Sequence, residues 1–536
     1  MSALQSAAQS SEVNPTNNIE ANAYDQIPYI NGSYYQSSPE HLYMVGTLFN
    51  LDVPDFKTAN VLEIGCANGW NTLSFATRSP DAKFTAIDLS KKQIDHANEL
   101  VEKMGVNNVN FINMSIEDIT PEFGQFDYII VHGVISWVPE NVREKIFEVS
   151  RDNLTKNGLV YISYNALPGW NMVKSVRDMM MYHTDNFDDP KQKVQQARLL
   201  LNFIKEGIEG RKDGYSWMVK NEFEALEKYD DNYLLHDHLE AENHPYYFKD
   251  FIDNANRYDL AYVGDADPKT MYVLNMPDSV VDTLLQVKDD VVRLEQYMDF
   301  VTNRRFRMTI LTHKDNQVSR TLKLKNLEGM FVSSPYAYDK EAEVEKGLKK
   351  YSAKGKSFVC NSQPAMRILD ALESSNGQRV DVCQLLKDVE KELASDKKIN
   401  EAEKTTKALV TVFYTLFFKG IVDLFPVEIN VATQISERPL ADKWFRYSAL
   451  AGSVAVSPEG RTIKMDDFSR LLAQYLDGTN TAKDIQDKML AHIDNGDLNM
   501  LAQGKPIEDS KEKRKIIKNA VTGSLQNYLK ERVLIA

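Results

Sequence analysis

Cysteine is scarce in this chain. Its 536 residues hold three, Cys66, Cys360 and Cys383. They are too few and too scattered for a disulfide framework or a cysteine-based zinc site, which suits a reducing compartment. Long apolar runs are missing as well. The longest candidate, Ala408 to Phe425, is broken by Thr411, Thr415, Lys419 and Asp423. A membrane span needs ~20 apolar residues, so no membrane insertion is expected. Residues 1–10 have neither a basic start nor an apolar stretch, so no signal peptide is read there. A cytoplasmic protein is the expectation. Positive charge is in deficit, with a net charge of −14. Nucleic-acid binding asks for a basic face, so no nucleic-acid partner is expected. The basic run Lys511 to Lys515 reads as a solvated helix face.

What is present centres on Asn60-Val-Leu-Glu-Ile-Gly-Cys-Ala-Asn-Gly69, followed by Trp70 to Ala76. Val61, Leu62 and Ile64 form a short buried strand, with Glu63 near its end. Gly65 and Gly69 lack a Cβ, so the backbone can turn sharply there and approach a ligand closely. The free N–H groups of the following helix then face that ligand. Two common nucleotide loops do not fit. A dinucleotide loop has a further glycine where Ala67 stands, and a Walker loop ends in Gly-Lys-Ser/Thr. Ala67 is tolerated if its φ stays negative.

From residue 60 the pattern alternates strand and helix. Lys83–Asp88 is a second strand ending in an acid, with Leu89 next to it. An acid at this place suits ribose hydroxyls. Ser90 caps a helix that Gly105 stops. The third strand, Val109–Met114, leads into Ser115 and Ile116, a polar group and an aliphatic face suited to a base. The fourth runs from Gln125 to Gly133 and carries His132 at its end. The fifth, Leu159–Tyr164, runs into Asn165-Ala-Leu-Pro-Gly-Trp170. Doubly wound sheets bind ligands at such carboxyl ends. Upstream, Tyr24, Tyr29, Tyr34 and Tyr35 crowd an irregular segment. It is either a packed arm over the sheet edge or a lid lining the site. The run His236-Asp-His-Leu-Glu-Ala-Glu-Asn-His244 has a ligand-like composition, but Tyr246-Tyr-Phe248 after it favours packing or a substrate pocket. No metal is expected.

The domain plan that follows is a disordered tail at 1–20, a cofactor-binding domain at 21–170 and a helical insertion at 171–245 that caps a substrate or dimerises. Residues 246–320 complete the sheet with two more strands, Leu260–Gly264 and Arg304–Thr312. Two mainly helical, winged-helix-like modules follow at 321–435 and 436–536, read as a divergent repeat. The fold class is thus α/β, a seven-stranded Rossmann-like sheet with a helical insertion and two such modules.

The phrase Val61-Leu-Glu-Ile-Gly-x-x-x-Gly69 resembles motif I of class I S-adenosylmethionine-dependent methyltransferases. The whole chain resembles the rickettsial protein lysine methyltransferases that modify outer membrane protein B, within the methyltransferases that carry a regulatory insertion. The matching phrases are Tyr24–Tyr29, the motif I loop, Val131-His-Gly-Val134, Ser163–Trp170 and His236–Glu240, with Asn243 and Pro245–Phe248. The resemblance implies S-adenosyl-L-methionine as cofactor and S-adenosyl-L-homocysteine as product. It places the cofactor on Glu63, Gly65, Cys66, Ala67, Asn68, Gly69, Asp88, Leu89, Ser115, Ile116 and His132. It suggests Tyr24, Tyr29, His132, Tyr164 and Trp170 around the reacting groups, with no metal. The implied substrate is a protein, through outer membrane protein lysines modified before export, and a homodimer is compatible with the insertion. Competing readings are a small-molecule or RNA methyltransferase and a non-catalytic protein that uses the cofactor pocket for assembly.

Overall fold

The computed structural model describes residues 32–229, 231–353, 355–451, 454–458, 460, 462–498, 501–502, 505–506 and 510–536. The expectations for the 1–20 tail, Tyr24 and Tyr29 lie outside the described residues.

The strands β1 (Asn60–Ile64), β2 (Lys83–Asp88), β3 (Val109–Asn113), β4 (Phe126–Val131), β5 (Leu154–Asn165), β6 (Leu260–Asp265) and β7 (Phe306–His313) form one sheet in the order 3-2-1-4-5-7-6. The first five are parallel, and β7 runs antiparallel to both neighbours. The order reverses beside β1, so the carboxyl ends of β1, β2 and β4 open a crevice. Side-chain parity divides the core. Val61, Tyr128, Ile130, Leu159 and Tyr161 pack on one face. Leu62, Ile64, Ile129, Val131, Val160, Ile162 and Tyr164 pack on the other. Period-2 alternation buried on both faces is what a sheet covered by helices requires.

The insertion consists of the helices Trp170–Thr184, Pro190–Gly207, Gly214–Leu226 and Asp231–His238. Met180, Val194, Leu201, Val219, Phe223 and Leu235 form its own core. Asp189 and Asp213 cap the second and third helices by accepting backbone N–H groups. The middle unit packs the helices Gln363–Ser374, Val382–Ser395 and Thr406–Phe418 beside a three-stranded sheet centred on Phe331–Ser333. The C-terminal unit builds a separate core from Phe445, Leu472, Ile485, Val521 and Leu525. Among the described residues no helix is long and apolar enough to cross a membrane.

One buried ionic cluster ties the edge of the sheet together. Arg307 on β7 donates from Nε and Nη2 to both carboxylate oxygens of Asp299, at 2.8 and 2.9 Å, and from Nη1 to Glu295 at 3.0 Å. Its guanidinium lies 3.6 Å over the Phe248 ring. The helix Val291–Thr302, which carries both acids, is thereby fixed to the sheet. The chain just after that helix meets the end of β5. Ala166 and Gly169 donate to the carbonyls of Arg305 and Arg304. A Cβ on Gly169 would lie 2.3 Å from the Asn303 carbonyl oxygen, which explains a glycine at this place.

Candidate functional site

The loop after β1 turns on three left-handed residues. Gly65 has φ +72° and Gly69 φ +79°. A Cβ at Gly65 would meet Val134 at 2.5 Å, and one at Gly69 would meet Phe111 at 2.4 Å. Ala67 also has positive φ, +48°, which corrects the expectation that it stays negative. Its N–H donates to Asp88 Oδ2 at 2.8 Å, and that bond holds the strained residue in place. A left-handed non-glycine residue costs ~1–2 kcal/mol, and glycine returns ~0.5–1 kcal/mol of that through unfolded-chain entropy. Ala67→Gly is therefore expected to stabilise the protein by about 0.5–1 kcal/mol, checked by the urea midpoint. No gain would show that the loop is relaxed as it stands.

Glu63 is buried beneath this loop. Its carboxylate accepts from the Asn71 amide at 2.7 Å and from the Thr72 hydroxyl. Burial pushes its pKa up from 4.5 to about 7, against the pull of those two donors. Its hydrogen-bond partners among the described residues are neutral groups. A buried carboxylate without a cation is costly, and the ammonium of a cofactor's methionine end is the kind of group that would relieve it. This orphaned charge, with two glycines at which a Cβ would collide, makes the residues present a fit for S-adenosylmethionine.

The other expected cofactor residues gather at the same crevice. Asp88 accepts the N–H groups of Ala67 and Ser90, which fixes its carboxylate. Leu89 beside it is 67% exposed. Met114 N–H donates to the Asp88 carbonyl, which draws Ser115 and Ile116 to the end of β2. Ser115 accepts the Glu117 N–H, and Ile116 packs into the core. Asn68 is buried in the loop. Burial pushes the Cys66 thiol pKa well above 9, so this cysteine packs as a small apolar group.

His132 stands at the end of β4. Its ring stacks on Tyr34 at 3.8 Å between centroids. Its Nδ1 is 2.9 Å from the Tyr161 hydroxyl and 3.4 Å from Ser163 Oγ. Burial holds its pKa well below 6.5, so the ring is neutral. Burial also pushes the Tyr161 phenol far up, so it keeps its proton and can donate to Nδ1. Ser163 Oγ accepts the Gly133 N–H at 2.8 Å. Phe306, at the start of β7, meets the His132 ring edge-on. The Tyr34 phenol is pushed up to about 12, first by burial and then by the carboxylates of Asp237 and Glu63. Tyr233, four residues before Asp237 on the same helix, is raised by burial and then by Asp237.

The arm that bears Tyr34 is pinned to the helix after the loop. Tyr34 N–H donates to Asn71 Oδ1 at 2.8 Å, and Asn71 Nδ2 also reaches Ser37 Oγ at 3.1 Å. The hydroxyls of Ser33 and Ser74 are 2.6 Å apart. Asn71 thus joins the Glu63 carboxylate to the residue that covers His132.

One expected residue faces away from this cleft. Tyr164 points to the opposite face of the sheet, stacked on Phe251 at 4.0 Å and bonded to Thr309 Oγ1 at 3.0 Å. The parity of β5 brings Tyr161 and Ser163 to His132 instead. Trp170 is buried edge-on against Trp137, and its indole N–H donates to Asn243 at 2.9 Å. The histidine-rich stretch makes contacts within and beside its helix. His236 Nδ1 lies 3.3 Å from Glu240, His238 is buried, and no metal-holding group occurs among the described residues. Tyr161, Ser163, Asn71 and Thr72 were not singled out from the sequence. Strand parity was the available signal for the first two, and polar residues in the first turn after the loop for the others.

Family models match three parts of the chain. A methyltransferase domain covers residues 61–158. A domain described as "Predicted methyltransferase regulatory domain" covers 230–313, and "PKMT, C-terminal winged helix domain" covers 437–533. An uncharacterized protein of Rickettsia prowazekii is 36% identical over 98% of this chain and 96% of its own length. A second protein of that organism is 39% identical over 46% of this chain and 97% of its own. Among solved structures, PKMT2 from Rickettsia typhi in complex with AdoHcy is similar with a TM-score of 0.82 at 30% identity, covering 95% of this chain and all of that one.

Proposed function

This chain belongs to the PKMT family of S-adenosylmethionine-dependent methyltransferases, and from that premise we propose that its acceptor is the lysine side chain of a protein. The observation that carries the reading is the group of side chains beside His132, where Tyr34 stacks on its ring, Phe306 meets it edge-on, and the Asp237 carboxylate acts on the phenols of both Tyr34 and Tyr233. A small apolar acceptor would have no use for that acid. An RNA acceptor would ask for cations where this site has a carboxylate. The resemblance supports, as the proposed substrate, lysines of an outer membrane protein met before export.

When bound, S-adenosylmethionine supplies a methyl group on a positive sulfur, which an amine can take with transfer of the charge to nitrogen. A free lysine has a pKa of ~10.4 and arrives protonated. Asp237 draws the ammonium into the cleft. The ammonium gives up its proton to solvent at the mouth of the cleft, and the aromatic walls then exclude water and favour the neutral amine, the form with a free lone pair. Neutral His132, with Nδ1 held by Tyr161, turns the face of its ring to Tyr34 and brings no second charge to the cleft. Tyr34 closes the site from the arm side, and its backbone bond to Asn71 links closure to the cofactor end.

Asp237→Asn is expected to raise the KM for a lysine peptide about tenfold or more, the scale of a lost charge-assisted hydrogen bond. Cofactor affinity should hold. A KM that does not move would remove Asp237 from the acceptor site. The insertion also exposes Tyr182 (88%) and Trp217 (68%). They are apolar side chains that a homodimer formed through the insertion could cover.

A further inference from the structure

The apolar layer under the glycine loop is not completed by the methyltransferase domain itself. Trp70, the first residue after Gly69, is 1% exposed. It packs with Cys66, Leu73, Ala97 and Phe111, and two further members of the cluster, Trp444 and Val456, come from the C-terminal unit. Trp444 opens the helix Lys443–Ala451, and Val456 ends the strand Val454–Val456. The rings of Trp444 and Trp70 meet edge to face, 5.5 Å apart at 70°. One turn further on, the Tyr447 hydroxyl donates to the Lys103 carbonyl at 3.2 Å. Ser448 Oγ accepts the Val456 N–H at 3.0 Å, which holds the strand to the same helix. The hairpin also reaches the arm, since a Cβ on Gly460 would lie 3.2 Å from the Tyr35 ring.

We propose that the C-terminal winged-helix unit sets the shape of the cofactor loop, with Trp444 as a positioning residue that acts through Trp70. The front of the loop is tied to β2, where Gly65 and Cys66 donate to the Ile87 carbonyl and Ala67 to Asp88, while its end at Gly69 leads directly into the helix that Trp70 begins. The height of that end is fixed by what lies beneath. Gly69 rests on Phe111 with no room for a Cβ, and Phe111 and Trp70 share the layer that Trp444 closes. Without the Trp444 ring, Trp70 can sink into the space left, and the helix start that presents N–H groups to the cofactor moves with it. Trp444 belongs to the layer behind the loop, so its effect on binding is indirect. This inference concerns the methyl donor and stands or falls independently of the acceptor.

The test uses the full chain and titrates S-adenosylhomocysteine by calorimetry. Trp444→Ala is expected to raise the Kd on the order of tenfold, within the range of coupling between separate sites. Trp444→Phe, which retains an aromatic edge for Trp70, should restore most of the affinity. Ile485→Val, in the separate core of the same unit, should lower thermal stability and leave the Kd unchanged. If the alanine variant does not fold, Trp444→Leu is read by the same criterion. Wild-type affinity in the folded Trp444 variant overturns the proposal. So does an equal loss in Ile485→Val, which would show general destabilisation instead of positioning.

Discussion

Glu63→Gln is expected to bind S-adenosylmethionine at least ~30-fold more weakly at pH 8, the lower end of what removing one member of a buried charge pair costs. The same variant should be more stable than the wild type without cofactor. Both effects come from one buried carboxylate. Its pKa is raised from 4.5 to about 7 by burial, so the folded protein holds this proton more tightly than the unfolded chain does. The contribution to stability is therefore fully present below pH 4.5 and is lost as the pH rises through about 7. The loss is on the order of 3 kcal/mol at ~1.4 kcal/mol per pKa unit. Glutamine keeps an acceptor for Asn71 and Thr72 and has no charge to desolvate. Between pH 5 and 8 the urea midpoint of the cofactor-free wild type should fall relative to that of the variant, since the buried histidines His41, His132 and His238, with pKa values lowered by burial, affect both proteins alike. Cofactor affinity of the wild type should rise over that range as Glu63 ionises. Unchanged affinity in Glu63→Gln would show that the carboxylate does not receive the ammonium.

Arg307→Met is expected to destabilise the methyltransferase domain by about 3–5 kcal/mol, since it leaves Glu295 buried without its cation and Asp299 with Arg304 alone. The side chain is almost fully buried, with three short bonds to the two acids. Methionine fills similar volume, so lost packing is a small part of the effect. Activity should fall further than the loss of folded protein explains. The segment 303–305 follows the clamped helix directly and receives the N–H groups of Ala166 and Gly169 at the end of β5. Denaturant titration, read beside methylation rates at equal folded fraction, checks both parts. A loss under ~1 kcal/mol, the scale of an exposed ion pair, would mean that water reaches the cluster.

The strand–loop–helix around Gly65 and the alternation that follows it were legible, because each is carried by local chemistry. Glycines mark positive φ, Ser90 and Gly105 punctuate a helix, and apolar runs mark buried strands. The conformation of Ala67 was not legible, since a long-range bond from Asp88 holds it. The choice between Tyr164 and Tyr161 turned on parity. The strand could be read, but which face meets His132 depends on the register with β4 and β7. The histidine-rich stretch drew attention through its composition, whereas its role follows from helical spacing. Tyr233 and Asp237, four residues apart, share the face towards Tyr34, and the histidines pack among their neighbours. The contact between Trp70 and Trp444 spans most of the chain and left no trace in either local sequence.

The most direct test of lysine methylation at this site is mass spectrometry of outer membrane protein fragments incubated with the full-length protein and isotope-labelled S-adenosylmethionine. Labelled methyl groups on lysine side chains, formed by the wild type and strongly reduced with Asp237→Asn, are the predicted result. Label absent from protein, or found only on oxygen, on RNA or on a small molecule, would contradict it.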